Sequence, residues 1–162
     1  MTTTLDDIAG LLHAHGLALS ISPDGRALCA PFQLPGGVLE VMVLVHPQGP
    51  VVELDIVFPF VVPAHRAGAV LEAVGLANMM LRLGRFDYDA AHRRLLYRAF
   101  HAVADAPVTA AQLLLLLRTG LLISEQLQLP FQDVCLRGGH PGLPVAELLE
   151  GARAFVQPEV QP

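Results

Sequence analysis

The first residues of the chain have the hydrophobic spacing of an amphipathic helix. Leu5, Ile8 and Leu12 fall on one face, three and four residues apart. Thr4 is a suitable N-cap, and Gly16 can end the helix because glycine tolerates the left-handed backbone conformation found there. The spacing therefore predicts a first helix between Thr4 and Gly16.

Four apolar or alternating segments follow, and turn-forming residues separate them. Proline, glycine and aspartate recur between the segments and favour the backbone conformations of tight turns. The predicted strands cover residues 17–22, 26–33, 38–46 and 51–58, with turns at 23–25, 35–37 and 47–50. Because short connections of this kind join antiparallel neighbours, the first half of the chain is predicted to continue as an antiparallel meander.

Two further helices and a hairpin are predicted in the second half. One helix covers 63–83, with a proline in its first turn and Gly84 after its end. Residues 85–89 and 94–103 alternate as the two strands of a hairpin, on which opposite charges can pair: Asp87 or Asp89 with Arg94 or Arg98. The last helix begins after a Thr109 cap and runs to Leu129, where Pro130 is expected to stop it. This order predicts an α+β fold, with an antiparallel sheet packed by helices.

The last long helix has more apolar surface than one contact requires. A helix that lies on a sheet needs an apolar stripe of only about 100°. Here the leucines and isoleucine surround the helix almost completely: Leu113, Leu114, Leu115, Leu116, Leu117, Leu121, Leu122 and Ile123. Either a neighbouring helix of the same chain or another molecule must therefore cover a second face.

The composition is apolar, so a membrane-spanning segment has to be considered. Hydrophobic residues make up 53% of the chain, charged residues 15%, and the mean hydropathy is +0.51. Arg118 interrupts the most apolar segment, which leaves less than the roughly 18 unbroken apolar residues of a membrane span. The N-terminus also lacks the basic start and apolar stretch of a secretory signal. We therefore expect a cytoplasmic protein with no membrane contact.

The charge pattern argues against direct nucleic-acid binding. The formal net charge is −5, and all the basic residues are arginines. They are scattered along the chain, with only Arg93 and Arg94 adjacent, whereas phosphate binding needs a concentrated basic face.

The residue types that carry chemistry do not form a recognisable catalytic or metal-binding motif. Cys29 and Cys135 have no second cysteine nearby, so free buried thiols are expected. His13 and His15 are two residues apart on a helix and point in nearly opposite directions. Glu53 and Asp55 share one strand face, where they are expected to keep a hairpin soluble. We predict no metal, no cofactor and no catalytic residue.

Six residues between positions 77 and 98 can be matched singly to a family pattern: Asn78, Gly84, Phe86, Asp87, Tyr97 and Arg98. This pattern resembles the YbjN-like family of bacterial sensory-transduction regulators. The resemblance implies a fold like that of type III secretion chaperones and a non-enzymatic, usually dimeric protein that holds another protein. It covers a domain at 4–130 and leaves 131–162 as an extension, with a short helix at 145–155.

The leading hypothesis is a protein-binding adaptor or chaperone-like module that acts as a homodimer and binds a protein client, for example in signalling, secretion or the DNA-damage response. Exposed apolar patches generally mark partner surfaces, and a symmetric dimer is a simple way to bury them. The residues expected to divide between core, dimer and client contacts are Met79, Met80, Leu83, Leu113, Leu116, Leu117, Leu121 and Ile123.

Two alternatives remain open from the sequence. One is a small enzyme or ligand-binding domain that uses the concave face of the sheet, with Glu53, Asp55, His46 and His101 as first candidates. The other is an accessory to DNA repair or other nucleic-acid metabolism that works through a protein partner.

Overall fold

The elements follow the predicted order of helix, meander, helix, hairpin and helix, and a helix comes after them where a short one was predicted at 145–155. The computed structural model describes residues 3–46, 51–103 and 106–156, with side chains as far as residue 151. The turn predicted at 47–50 and the last residues of the extension, 157–162, lie outside the described residues. The helices are α1 (Leu5–His13), α2 (Ala67–Asn78), α3 (Ala110–Gln132) and α4 (Leu143–Val156). The strands are β1 (Ser20–Ile21), β2 (Ala27–Leu34), β3 (Gly37–Val45), β4 (Val51–Val61), β5 (Arg85–Asp89) and β6 (Arg94–Ala102).

The described strands form one antiparallel sheet in the order β1-β2-β3-β4-β6-β5. Each neighbouring pair is antiparallel, and the β4–β6 pair joins the meander to the hairpin. The predicted α+β fold class is thereby confirmed. Strand β1 is shorter than predicted, because only Ser20 and Ile21 pair with β2.

The sheet has a helical face and an open face. Ile56 of β4 pairs with Val41 and Tyr97, and all three side chains are buried on the helical face. Side chains of neighbouring residues point to the opposite side, so Asp55 lies with Met42 and Arg98 on the open face. Helix α1 contacts β2, α2 contacts β5, and α3 contacts both β4 and β6.

The helix α1 begins as predicted. The Thr4 hydroxyl accepts a hydrogen bond from the Asp7 N–H, while the Asp7 carboxylate accepts one from the Thr4 N–H at 2.9 Å. This reciprocal capping box pairs two N–H groups that would otherwise lack partners at the helix start. Ile8 and Leu12 are buried against the core, as the sequence spacing predicts.

The predicted helix over 63–83 was wrong in length, since α2 ends at Asn78. A short 3-10 turn, Ala64–Arg66, follows Pro63, and α2 begins only at Ala67. The end at Asn78 has a physical cause, because its side-chain amide hydrogen-bonds to β5 instead of pointing to solvent. Gly84, the residue before β5, adopts a φ of +69°, which lies in the left-handed region that favours glycine.

Pro130 does not stop the last long helix, contrary to the prediction. Proline removes the N–H that would bond to the carbonyl of Gln126, but α3 continues to Gln132 and into a π-helical turn over Asp133–Arg137. Burial of Phe131 on the far side of the proline favours the continued helix. The Arg66 guanidinium also donates to the Val134 carbonyl, at 2.6 and 2.9 Å, and so satisfies a carbonyl near the helix end.

The extended helix, Ala110–Arg137, is long and apolar enough to cross a membrane by length and composition alone. No such segment was expected from the sequence, because Arg118 interrupts the run of apolar residues. A core helix passes the same test, and α3 contacts β4 and β6 through its buried side. This helix is therefore weak evidence for a membrane span.

Glycine at position 120 lets α3 approach the sheet closely. A Cβ atom at Gly120 would lie 2.8 Å from Ile56 Cδ1 and 2.9 Å from the Tyr97 ring. Tyr97 itself packs edge-on against Phe86, and Phe86 packs against Phe131 of α3. The centre of the core is thus an aromatic cluster that connects the sheet to α3.

We predict that Gly120→Leu destabilises the fold by about 3 kcal/mol, because the added side chain has to displace Ile56 and the Tyr97 ring. The matched control is Gly75→Leu in α2, where no atom lies within 4 Å of the added Cβ. The control should gain up to about 1 kcal/mol from helix propensity. Urea unfolding measures both changes, and equal midpoints for the two variants would contradict the close approach at Gly120.

Candidate protein-interaction surfaces

An ion-pair cluster occupies the middle of the open face. The Arg98 guanidinium contacts both oxygens of Asp55, Nε to Oδ1 at 2.8 Å and Nη2 to Oδ2 at 2.7 Å. Its Nε also lies 2.7 Å from Glu53 Oε1, and its Nη1 lies 3.5 Å from Asp87 Oδ2. The His46 ring contacts Glu53 from the other side. One arginine therefore connects carboxylates from β4 and β5.

Burial of the two β4 carboxylates corrects the prediction that they serve only to solubilise a hairpin. Glu53 is 6% exposed and Asp55 is 8% exposed. Burial raises the pKa of Asp55, although the hydrogen bonds from Arg98 act in the opposite direction. Asp55 in turn raises the pKa of Arg98 further above its usual range. The cluster therefore keeps charged groups largely away from water, where each charge is stabilised by its oppositely charged partner.

The arrangement of the cluster suits an ion-pair network better than acid–base chemistry. Both oxygens of Asp55 contact Arg98, and Glu53 is shared between Arg98 and His46. His101, the fourth candidate for a pocket on this face, pairs with Val52 and therefore lies on the helical face. The structure thus brings three of the four candidates together and separates the fourth from them.

The residues that carried the family resemblance form structural contacts around β5. Asn78 accepts from the Phe86 N–H at 2.7 Å and donates to the Phe86 carbonyl at 2.9 Å, so it fastens the end of α2 to the free edge of the sheet. The Tyr97 hydroxyl donates to the Leu83 carbonyl at 2.8 Å, and its ring fills the space beside Gly84. The motif therefore holds α2, β5 and β6 together.

The two thiols and the described cavities show no sign of an activated nucleophile. Burial raises the pKa of Cys135 to about 12 and also raises that of Cys29. A cavity of about 540 Å³ on the open face has Cys29, Glu40 and Arg94 in its wall. Within the described ranges, no three His, Cys, Asp or Glu side chains group in a way that could hold a metal ion.

The predicted interaction residues divide into buried and exposed groups. Leu113, Leu116 and Leu117 lie on the inner side of α3 and are between 4% and 6% exposed. These three side chains fill the core, so an external partner cannot contact them in this conformation, and they form the core part of the predicted set. Leu121 and Ile123 are half-buried at the flanks of the helix.

The other three predicted residues lie at the surface just after α2. Met79 is 82% exposed, Met80 is 43% exposed and Leu83 is 37% exposed. We call these three residues the methionine patch. Methionine side chains are flexible and polarisable, which suits a surface that accepts varied apolar partners.

The leucines that α3 presents to solvent were not among the predicted contact residues, although Leu115 and Leu122 were counted in its excess apolar surface. Leu115, Leu122 and Leu129 are 64%, 65% and 56% exposed. They are seven residues apart, so they follow one line along the outside of the helix. We call them the leucine ridge. The seven-residue spacing was available in the sequence, but the leucines between them concealed it.

The comparisons with known proteins agree with the fold. The YbjN family, described as "Putative bacterial sensory transduction regulator", matches residues 4–133. YbjN from E. coli, "a putative transcription regulator", has a crystal structure with a TM-score of 0.56 at 12% identity, and the match covers 95% of this chain and 96% of that one. ExsC in the crystal structure of the ExsC–ExsE complex has a TM-score of 0.55 at 17% identity, covering 78% and 95% of the two chains. No curated protein matches the chain significantly.

We predict that Asn78→Ala destabilises the fold by about 2 kcal/mol, because the Phe86 N–H and carbonyl lose their partner. Hydrogen exchange should show loss of protection at the Phe86 amide. Glu72→Ala, an exposed change on the same helix, is the control and should leave this amide protected. Unchanged protection of Phe86 in Asn78→Ala would contradict the assignment.

We predict that Arg98→Met destabilises the fold by about 3–5 kcal/mol at pH 7, because Asp55 is left buried without a cation and Glu53 keeps only its contact with His46. Without Arg98 the pKa of Asp55 rises further above its unfolded value, so the folded state takes up protons preferentially. The loss of stability should therefore shrink as the pH falls from 7 towards 5.

The control for Arg98 is Arg85→Met. Arg85 is 54% exposed and contacts Asp87 at the surface, so its loss should cost at most about 1 kcal/mol. Urea unfolding at several pH values compares the two variants. Equal losses, or a loss in Arg98→Met that does not depend on pH, would show that the cluster is not held by this arginine.

Proposed function

The chain belongs to the YbjN family, and from this membership and its exposed surfaces we propose that it is a protein-binding, chaperone-like regulator. We propose further that it acts in the cytoplasm as a homodimer that holds a protein client, without catalysing a reaction. The solved neighbour ExsC comes from a protein–protein complex, ExsC–ExsE, which supports a protein partner for a fold of this kind.

The observation that carries the proposal is the exposure of large apolar side chains at two separate places. The methionine patch follows α2, and the leucine ridge follows the outer side of α3. Leaving such side chains in water is unfavourable, and groups of exposed apolar side chains generally mark a site of protein contact. Two surfaces allow a division in which the ridge contacts a second copy and the methionine patch contacts the client.

The open face gives less support to a ligand-binding or enzymatic role. Glu53 and Asp55 are buried, as a pocket would require, but their oxygens are engaged by Arg98 and His46. A role in nucleic-acid metabolism would have to operate through a protein partner, because the chain carries a net charge of −5. The nucleic-acid role would therefore still depend on a protein contact outside the ion-pair cluster.

We predict that a photocrosslinking amino acid at Met79 captures a client protein in the native bacterial cell, because this side chain is 82% exposed. The matched control carries the same amino acid at Glu72, an exposed polar position of α2. Denaturing gels and mass spectrometry should find one partner at Met79 that is absent at Glu72. Identical products at both positions, or no product at Met79, would contradict client binding at the methionine patch.

A further inference from the structure

We propose that the leucine ridge is the contact between two copies of this chain, with the two α3 helices antiparallel around a twofold axis at Leu122. This inference rests on the proposed homodimer and specifies its geometry. The twofold axis places Leu122 against Leu122 of the other copy and Leu115 against Leu129 of the other copy. Three observations support this dimer: the position of the ridge on α3, the charges beside the ridge, and the size of the exposed surface around it.

The ridge points directly away from the core. Leu122 is nine residues before Phe131, and at about 100° per residue the two side chains lie on opposite sides of the helix. Phe131 is fully buried, whereas Leu122 is 65% exposed. Helix α4 packs beside the ridge, since the Gln126 amide donates to the Glu147 carbonyl at 3.2 Å. It leaves the three leucines at least 56% exposed, so none of the described elements covers them.

Two opposite charges on one flank of the ridge select the antiparallel arrangement. Arg118 and Glu125 lie on the same side of the leucine line, about 20° apart around the helix. Neither makes an ion pair among the described residues. Rotation about a twofold axis at Leu122 brings each Arg118 within about one residue's rise of Glu125 of the other copy. Each copy therefore contributes one arginine and one glutamate to two identical pairs.

A parallel dimer does not use these charges. In that arrangement the flank carrying Arg118 and Glu125 faces the opposite flank of the second copy, where Thr119 and Gln126 lie at the same heights. Both charges then face uncharged side chains. The antiparallel arrangement is therefore the one with charge complementarity, which sets orientation and specificity at an interface.

The available area suits a dimer that dissociates on dilution. A stable interface typically buries about 800 Å² on each partner. Three exposed leucines supply only the centre of such a surface. The remainder has to come from its flanks, including Arg118, Glu125 and the exposed Leu149 of α4. We therefore expect a moderate association that depends on concentration.

We predict that Arg118→Glu and Glu125→Arg each weaken self-association by about tenfold or more, because each creates two like-charge contacts across the axis. The double variant Arg118→Glu/Glu125→Arg should restore the association of the original chain. Sedimentation equilibrium measures the association against the chain mass of 17.3 kDa. Circular dichroism confirms that each variant is folded, which is expected because Arg118 is exposed and Glu125 is half-exposed.

A second measurement distinguishes the two orientations. In a Cys29→Ser background, which removes the half-buried thiol, Leu122→Cys should form a disulfide between copies under mild oxidation, whereas Leu115→Cys should not. In a parallel dimer both positions would crosslink. A dimer in which the double variant fails to restore association would overturn the α3 interface while leaving the proposed homodimer intact. A monomer up to near-millimolar concentration would overturn the homodimer itself.

Discussion

The close approach of α3 to the sheet at Gly120 is the contact on which the rest of the structure depends. Because position 120 has no side chain, Tyr97 and Ile56 can lie directly beneath the helix. Tyr97 then reaches the Leu83 carbonyl, and burial of its ring raises the pKa of its hydroxyl to about 12. A single aromatic side chain thus positions both the long helix and the connection that carries the methionine patch. Any change that lifts α3 from the sheet would disturb both proposed contact surfaces.

The sheet is asymmetric in a way that follows from strand alternation. Every second residue of β4, and of β6 as far as Ala99, is apolar and faces the helices, while the residues between them include the charged groups of the open face. Glu53 and Asp55 become buried without a covering helix because Arg98 and neighbouring side chains exclude water from them. The resulting network joins the meander to the hairpin. The ion pairs therefore give the open face a defined structure, whereas the apolar contact surfaces lie on the helical side.

Much of the fold could be predicted from local sequence, because its signals are local. The capping residue Thr4, the turn residues and the two-residue alternation identify elements without knowledge of tertiary contacts. The misplaced ends were those set by distant groups. Asn78 ends α2 because Phe86 offers it two hydrogen bonds, and Pro130 is tolerated because Phe131 beyond it is buried in the core. The leucines of α3 show the same limit of prediction from local sequence. Their number indicated an excess of apolar surface, but the packing of the helix on the sheet decides which of them stay exposed to solvent.

That excess surface is the reason to consider the helical side as the functional side of the molecule. Solubility alone would favour polar residues at 115, 122 and 129, since α3 is already anchored through Phe131 and Leu127 on its inner side. Leucine at those positions adds little to the packing of the isolated chain, and its transfer out of water becomes favourable only when another surface covers it. Arg118 and Glu125, which form no ion pair among the described residues, have the same property, because an interface with a second copy would give their charges partners. The proposed contact with a second, antiparallel α3 would therefore account for the hydrophobic and the electrostatic features of this helix together.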